Sequence, residues 1–421
     1  MRRVLFVSIT FPPYVDVGTE RALRFVRALS CAGIAVDVLT SGSSRIARHD
    51  TSSLEPVPRT TRVFDTGLVR PYLPFSAILK IAPRGWHNMI ASNLMVPDAF
   101  IGWYPFLLNI AQKLFKSNGA AYSAIISTSP PHSAQIAGLR LKKIFNAPWV
   151  VDLRDPWAGN PLASFSTPLH KRLQRRLEAM VVSNADAVIA STDKNAQNLK
   201  ERYPQCEGKI YAINNSYDED MFGSKPADKP ASDAKTLKIF YGGTLHPQYD
   251  PESFFKGLSL AMKKHPQMKG SLRLDIYGSK TERKGIARYN LKDTVREHRA
   301  LSREEFPLRL MESDAALLIL NPLDKKQAAD FWVPAKLYQY LGARKPVLAL
   351  AGTGEARDII EASGIGYICL PSDIPAIAST IIEVFTDWQR GALKRSASAS
   401  IKPYSTEAQM QRFSDVLSSV L

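Results

Sequence analysis

Lys336 stands in the first turn of a predicted helix that opens at Pro334, in the run Phe331-Trp332-Val333-Pro334-Ala335-Lys336-Leu337-Tyr338-Gln339. Proline is tolerated there because that amide needs no helical partner. A lysine is mildly unfavourable against the positive end of the helix dipole, and a bound pyrophosphate would offset that cost. Gln339, one turn on, can hydrogen-bond a ribose hydroxyl. Glu355, in the loop Gly352-Thr353-Gly354-Glu355, offers a carboxylate suited to the same group. Tyr241-Gly242-Gly243-Thr244 follows a predicted strand and could wrap a phosphate or glycosyl group with backbone amides. Tyr277 and Gly278 end another strand, and with Gly243, Thr244, Gln339, Gly354 and Glu355 they complete the ligand-binding candidates of this half.

The first half carries a second set. Phe11-Pro12-Pro13 through Gly18-Thr19-Glu20-Arg21 runs from a strand into a helix, where glycine admits a ligand close to backbone and helix amides favour phosphate. Without GxGxxG spacing, a bare strand-to-helix turn would look the same. Ser127-Thr128-Ser129-Pro130-Pro131-His132-Ser133 puts a histidine at a helix start, and Trp149-Val150-Val151-Asp152-Leu153-Arg154-Asp155-Pro156-Trp157 ends a strand in three charges. A lone histidine is more often structural, and Asp-Arg-Asp can be a closed ion-pair network. Their common position at strand carboxyl ends favours a site formed by His132, Arg154 and Asp155.

The elements that would position these residues alternate between short β-branched runs and helical periodicity, the pattern of an α/β fold with parallel sheets. Strands are predicted at Val4–Ser8, Val36–Thr40, Ala124–Ser127, Trp149–Asp152 and Ala187–Ala190, then at Lys238–Tyr241, Leu272–Tyr277, Ala315–Ile319, Pro346–Ala349 and Gly366–Cys369. Between the two series, Tyr217–Thr236 is rich in Pro, Asp, Lys and Ser and reads as a linker. The organisation is thus a first Rossmann-like domain at 1–216, a second at 217–404, and a terminal helix at 405–421 that packs back on the first. A chain of 421 residues exceeds what one core sustains. Ligands of such sheets bind beyond the strand carboxyl ends, so two facing rims would make a central cleft.

Cys31, Cys206 and Cys369 are odd in number and lack CxxC spacing, which argues against a disulfide framework or zinc site and fits a reducing cytoplasm. The opening MRRVLFVSITFPPY reads as a first buried strand rather than a signal peptide, and no apolar run approaches membrane-spanning length. The net charge of +16 is unevenly shared: residues 1–210 carry 26 Lys+Arg against 14 Asp+Glu (+12), and residues 211–421 carry 29 against 25 (+4). The basic half suits lipid headgroups or phosphates; ordinary solubility charge is the bland alternative. Nucleic acid is disfavoured because no groove-reading motif accompanies the charge. Leu169, Leu173, Leu177 and Met180 share one helical face, with Lys171, Arg172, Arg175 and Arg176 around the remainder. That pattern predicts a core-facing apolar stripe with a solvated basic back, or a helix lying on anionic lipid at the inner face of the cytoplasmic membrane. Pro71 to Phe115, rich in aromatic and apolar residues, suits an acceptor pocket or buried core.

Taken in order, FPP…G…R…L, STSPPHS, PWVVDLRDPW, YGGTL, PAKLYQYLGARKPVLAL and GTGEARDIIEASGIG resemble bacterial family-four glycosyltransferases of glycan and exopolysaccharide assembly, over nearly the whole chain. The resemblance implies a GT-B fold of two Rossmann-like doubly wound domains. It implies metal-independent transfer of a hexosyl group from a nucleoside diphosphate sugar to a glycan or lipid-linked acceptor, usually with retention of configuration and with no cofactor. By that likeness His132 and Lys336 are the catalytic residues, His132 at the transferred sugar and Lys336 at the β-phosphate. Gly18 and Arg21 lie near the donor phosphates, with Arg154 and Asp155 on the acceptor side.

Two departures stand out. The family commonly has two glutamates around the Lys336 helix where this chain has Phe331 and Gln339, and an Arg and Lys where it has His246 to Asp250. A nucleotide-sugar epimerase of the same architecture, or a non-catalytic sugar-nucleotide-binding subunit, are the rival readings. A dinucleotide-dependent dehydrogenase is disfavoured by the absence of GxGxxG after any strand.

Overall fold

The computed structural model describes residues 2–15, 18–42, 48–67, 95–118, 122–160, 167–222, 235–243, 245, 251–278, 283–320, 331–395 and 397–421. The chain divides into two compact units, residues 1–214 with 410–421, and residues 215–409.

The first unit is built on β1 (Arg3–Val7), β2 (Ala35–Thr40), β3 (Thr61–Asp65), β4 (Ala124–Ser129), β5 (Trp149–Leu153), β6 (Ala187–Ala190) and β7 (Ile210–Ala212). They form one parallel sheet in the order β3-β2-β1-β4-β5-β6-β7, the doubly wound arrangement with its switch point beside β1. Its helices are α1 (Thr19–Cys31), α2 (Tyr104–Asn118), α3 (Ser133–Phe145), α4 (Pro168–Asn184) and α5 (Asp193–Arg202). Alternate residues of β1 face opposite layers: Leu5 and Val7 join a core with Leu107, Leu141 and Val181, while Val4 and Phe6 join one with Phe25, Val26 and Phe413. α1 stops where Gly33 adopts a left-handed φ of 73°, its amide bonding to Ser30 O at 2.9 Å.

The second unit repeats the plan with β8 (Leu237–Gly242), β9 (Leu272–Tyr277), β10 (Val295–His298), β11 (Ala315–Leu320), β12 (Val347–Ala351) and β13 (Gly366–Cys369), in the order β10-β9-β8-β11-β12-β13. α6 (Pro251–Lys264), α7 (Arg283–Arg288), α8 (Glu305–Met311), α9 (Ala335–Gly342), α10 (Glu355–Ser363) and α11 (Ile374–Gln389) flank this sheet. One face packs Ile239, Leu274 and Leu317 against Phe254 and Ile381; the other packs Phe240, Ala316 and Leu318 against Leu337, Tyr340 and Ile359. The final helix, α12 (Thr406–Ser418), crosses back: from Met410 onward it belongs to the first unit, where Phe413 stacks on Phe25 with ring centroids 4.3 Å apart.

All ten predicted strands exist, displaced by at most two residues at either end. Five described strands were not anticipated: the two-residue pair Tyr14–Val15 and Arg48–His49, and three edge strands of the large sheets, of which β3 reads Thr-Arg-Val-Phe-Asp with three exposed positions, β7 has three residues, and β10 buries only Val295. The expected linker is corrected at its start. Tyr217 and Phe222 are buried in the second core, and Tyr217 pairs with the segment at Tyr404 to Thr406, so those aromatic residues belong to the unit they precede. Residues 223–234 of that segment lie outside the described residues, as do 71–94 of the suggested acceptor stretch.

The orientation of α4 also differs from its core-facing reading. Leu169, Leu173 and Met180 point outward, 67%, 38% and 37% exposed, and only Leu177 of the four is partly buried. The inward face carries His170, Gln174, Glu178, Val181 and Val182. This inversion holds because the buried polar groups have partners. Gln174 accepts from Trp157 Nε1 at 2.7 Å and donates to Pro97 O at 2.6 Å. Glu178 is ion-paired with Arg202 and accepts from the Tyr203 hydroxyl at 2.9 Å.

Candidate active site

In the first unit, the carboxyl ends of β4 and β5 assemble one cluster. His132 caps α3 at its amino end, and its ring lies parallel to that of Trp157, with centroids 4.4 Å apart and an interplanar angle of 1°. Its Nδ1 is buried without a hydrogen-bond partner, although part of the residue reaches the surface. Burial, reinforced by the positive charge of Arg154, pushes the imidazole down to about 3, so it is neutral at ordinary pH. Asp98 fixes the backbone at this point by accepting from the Ser133 and Phe100 amides at 2.8 and 2.9 Å. Burial raises its carboxyl above the usual range despite those bonds.

Gly18 and Arg154 meet directly. A Cβ on Gly18 would fall 1.5 Å from Arg154 Nη1, so the glycine leaves the space that the guanidinium occupies. Arg154 Nη2 also donates to Pro130 O at 3.3 Å, tying the β5 end to the His132 loop. Asp155, next along the chain, has its carboxyl raised by burial and by the Asp152 charge, while the Arg154 charge opposes the rise.

Arg21 is placed differently from a phosphate ligand. It is 4% exposed, and its Nε and Nη2 donate to the buried Asp152 carboxylate at 3.1 and 2.8 Å. Thr128 Oγ1 donates to the same carboxylate at 2.7 Å. Its charge is thus spent on Asp152. The local physics is that Asp152 sits in the middle of a parallel sheet, where an unpaired carboxylate would be prohibitive.

In the second unit, Lys336 lies in the first turn of α9 with Nζ 4.1 Å from the centroid of the Tyr241 ring. Among the described residues no ion pair joins that ammonium to a carboxylate, and desolvation lowers it from 10.5 to about 8. Two glycine turns frame it. Gly243, at φ 113°, would bring a Cβ within 3.2 Å of Lys336 Nζ, and its amide bonds to Tyr277 O at 2.8 Å. Gly278, at φ 107°, would place a Cβ 3.4 Å from Gly243. Only glycine adopts these angles without strain, so backbone approaches the ammonium from the end of β8, and the turn after β9 packs against that backbone.

Tyr277 stacks on His298 with centroids 4.5 Å apart. On the same α9, Gln339 has a buried Oε1 without a hydrogen-bond partner. Glu355 is 5% exposed at the start of α10, after Gly354 at φ 139°. Thr244 and residues 246–250 lie outside the described residues. No group of three or more metal-ligating side chains occurs among the described residues.

The structure therefore gathers Gly18, His132, Arg154 and Asp155 on one rim, and Gly243, Tyr277, Gly278 and Lys336 on another. Trp157, Asp98 and Gln174 were not singled out from sequence. Trp157 closes the PWVVDLRDPW motif and could have been flagged as a ring plate. Asp98 and Gln174 act through partners distant in sequence and left no local signal.

Residues 18–206 match the family model of the glycosyl transferase 4-like domain. Among curated proteins, none matches the sequence. Solved structures share the fold at low identity. A sucrose-phosphate synthase from Thermosynechococcus elongatus is 16% identical with a TM-score of 0.64, covering 100% of this chain and 99% of the other. Anabaena HepE in complex with UDP and glucose is 15% identical with a TM-score of 0.65, covering 100% of each. A glycosyltransferase from Rickettsia africae is 13% identical with a TM-score of 0.65, covering 100% of this chain and 98% of the other. With a match to the glycosyl transferase 4-like domain over residues 18–206 and the doubly wound plan repeated in the second unit, this chain has the GT-B fold of those structures.

Proposed function

We propose that the enzyme moves a hexosyl group from a UDP-sugar to a glycan or lipid-linked acceptor on the cytoplasmic side of a membrane, with retention of configuration and without a metal ion. The observation that carries this reading is Lys336: an ammonium without a carboxylate partner among the described residues, half-buried beside the Gly243 turn at a helix amino end. Such a site attracts an anion, and the amino end of α9 suits a diphosphate.

UDP is the first base to test because HepE was crystallised with UDP and with UDP-glucose. As the bond from the anomeric carbon to the phosphate oxygen breaks, negative charge builds on the leaving diphosphate, and Lys336 stabilises it. The acceptor oxygen bonds to the same face of that carbon and passes its proton to the departing phosphate. No protein nucleophile is needed. The neutral His132 offers the transferred sugar a hydrogen bond without competing with Lys336 for the diphosphate. Gln339, with its buried unpartnered Oε1, and Glu355 are assigned to ribose hydroxyls.

A thermal-shift panel of nucleoside diphosphates and their sugars tests the donor, since a ligand selective for the folded state raises apparent stability. Anomeric configuration of the product by NMR tests retention. Incubation with UDP-GlcNAc alone separates transfer from epimerisation: an epimer formed without acceptor would overturn this reading, and so would a panel without any diphosphate response.

A further inference from the structure

We propose that the outer face of α4 docks the first unit on an anionic lipid bilayer, with Leu169, Leu173 and Met180 entering the headgroup–acyl boundary and the basic residues around them meeting lipid phosphates. Isolated exposed leucines are ordinary on protein surfaces. Here they form a row: Leu169, Leu173, Arg176 and Met180 follow 4-3-4 spacing on one side of the helix, all exposed. Lys171, Arg172 and Arg175 continue the exposed arc.

The row cannot turn inward, because the opposite face is locked. Gln174 is held by Trp157 and Pro97, and Glu178 by Arg202 and Tyr203. Rotating the leucines into the core would strand both buried polar groups, each at a cost a leucine contact does not recover.

Charge decides the occupant. α4 contains one acidic residue, Glu178, which is buried and paired. α2 and α3 pack with α4 on the same side of the sheet; they contain no Asp or Glu and display Lys113, Lys116, Arg140 and Lys143 outward. A surface that is basic, free of exposed carboxylates along three helices and studded with leucine matches anionic lipid; a phosphate polymer would satisfy the charges and leave the leucines in water. No helix among the described residues is long and apolar enough to cross a membrane, so the contact is peripheral.

The proposal is independent of the donor reading, and its test has a separate readout. The full chain is sedimented at low salt with vesicles of phosphatidylcholine, alone or mixed with phosphatidylglycerol. Binding is expected only to the mixed vesicles. Each basic residue at such a surface contributes about a fivefold gain in partition, so R172E/R175E/R176E should lower it by roughly 100-fold or more. L169Q/L173Q should lower it by at least about tenfold, since half-inserted leucines forfeit much of their transfer free energy. Both variants alter exposed side chains, so their melting temperatures and their response to UDP should match the wild type. Absence of binding to phosphatidylglycerol vesicles overturns the proposal. So does L169Q/L173Q binding as well as the wild type, or capture by heparin without capture by vesicles.

Discussion

Replacing Lys336 with methionine should stabilise the free protein while destroying its response to diphosphate, a pair of effects that a merely structural lysine would not produce. The ammonium is lowered from 10.5 to about 8 by burial. At about 1.4 kcal/mol per pH unit, that shift places a ceiling of about 3 kcal/mol on the cost of keeping the charge. The Tyr241 ring returns about 1 kcal/mol and partial solvent access reduces the cost further, leaving about 1–2 kcal/mol. For a unit of this size that corresponds to a rise of roughly 2–6 °C in melting temperature at pH 7.

The sign follows from proton counts. Between pH 8 and 10.5 the unfolded chain holds the lysine proton and the free folded chain releases it, so wild-type stability increases through that window and the gap to Lys336→Met closes. UDP affinity should move the other way, falling as pH rises above about 8 in the wild type. In the variant it should be independent of Lys336 titration and roughly 10- to 150-fold weaker, the worth of about 1.5–3 kcal/mol for a charged hydrogen bond. Thermal scans from pH 7 to 10.5, with and without UDP, read both effects. A variant that melts below the wild type at pH 7, or keeps its UDP affinity, would refute the reasoning.

Three further outcomes follow from the first unit. His132, held near pKa 3, should give no activity limb around pH 6.5; instead the wild type should lose stability as pH falls below about 6, by at most about 1.4 kcal/mol per pH unit, because only the unfolded chain takes up that proton. His132→Gln should remove this acid-side slope in thermal scans and reduce turnover. Asp152→Asn should cost about 3–5 kcal/mol, since Arg21 is left buried with its charge uncompensated, and urea unfolding should show the loss directly. Gly18→Ala should leave stability within about 1 kcal/mol, because the Cβ meets the mobile end of Arg154, yet lower turnover by displacing that guanidinium; unchanged kinetics would detach Gly18 from the site.

The doubly wound core was legible because strands buried on both faces need continuous apolar runs, as in Leu-Phe-Val of β1 and Ala-Leu-Leu-Ile-Leu of β11. Edge strands answer to a weaker rule. β3 and β10 bury little, so their sequences carry charge at positions that a central strand could not accept, and backbone pairing alone defines them. The glycine turns beside Lys336 were readable for the same local reason: a strand end followed by residues that must adopt positive φ.

Arg21 and α4 show where local reading stops. From sequence, an arginine in the first turn after a glycine loop is a phosphate ligand, and leucines at helical spacing are a core stripe before they are a lipid-facing row. Both readings ask what each residue prefers in isolation. The fold decides instead by what the neighbours require: Asp152, 131 positions away, has nowhere to put its charge except on Arg21. Gln174 and Glu178 have partners only on the inner side of α4, and two satisfied buried polar groups outweigh a row of leucines that water tolerates at modest cost. That balance leaves an exposed apolar row among arginines, just as burial leaves Lys336 a half-buried cation with no ion pair to a described carboxylate.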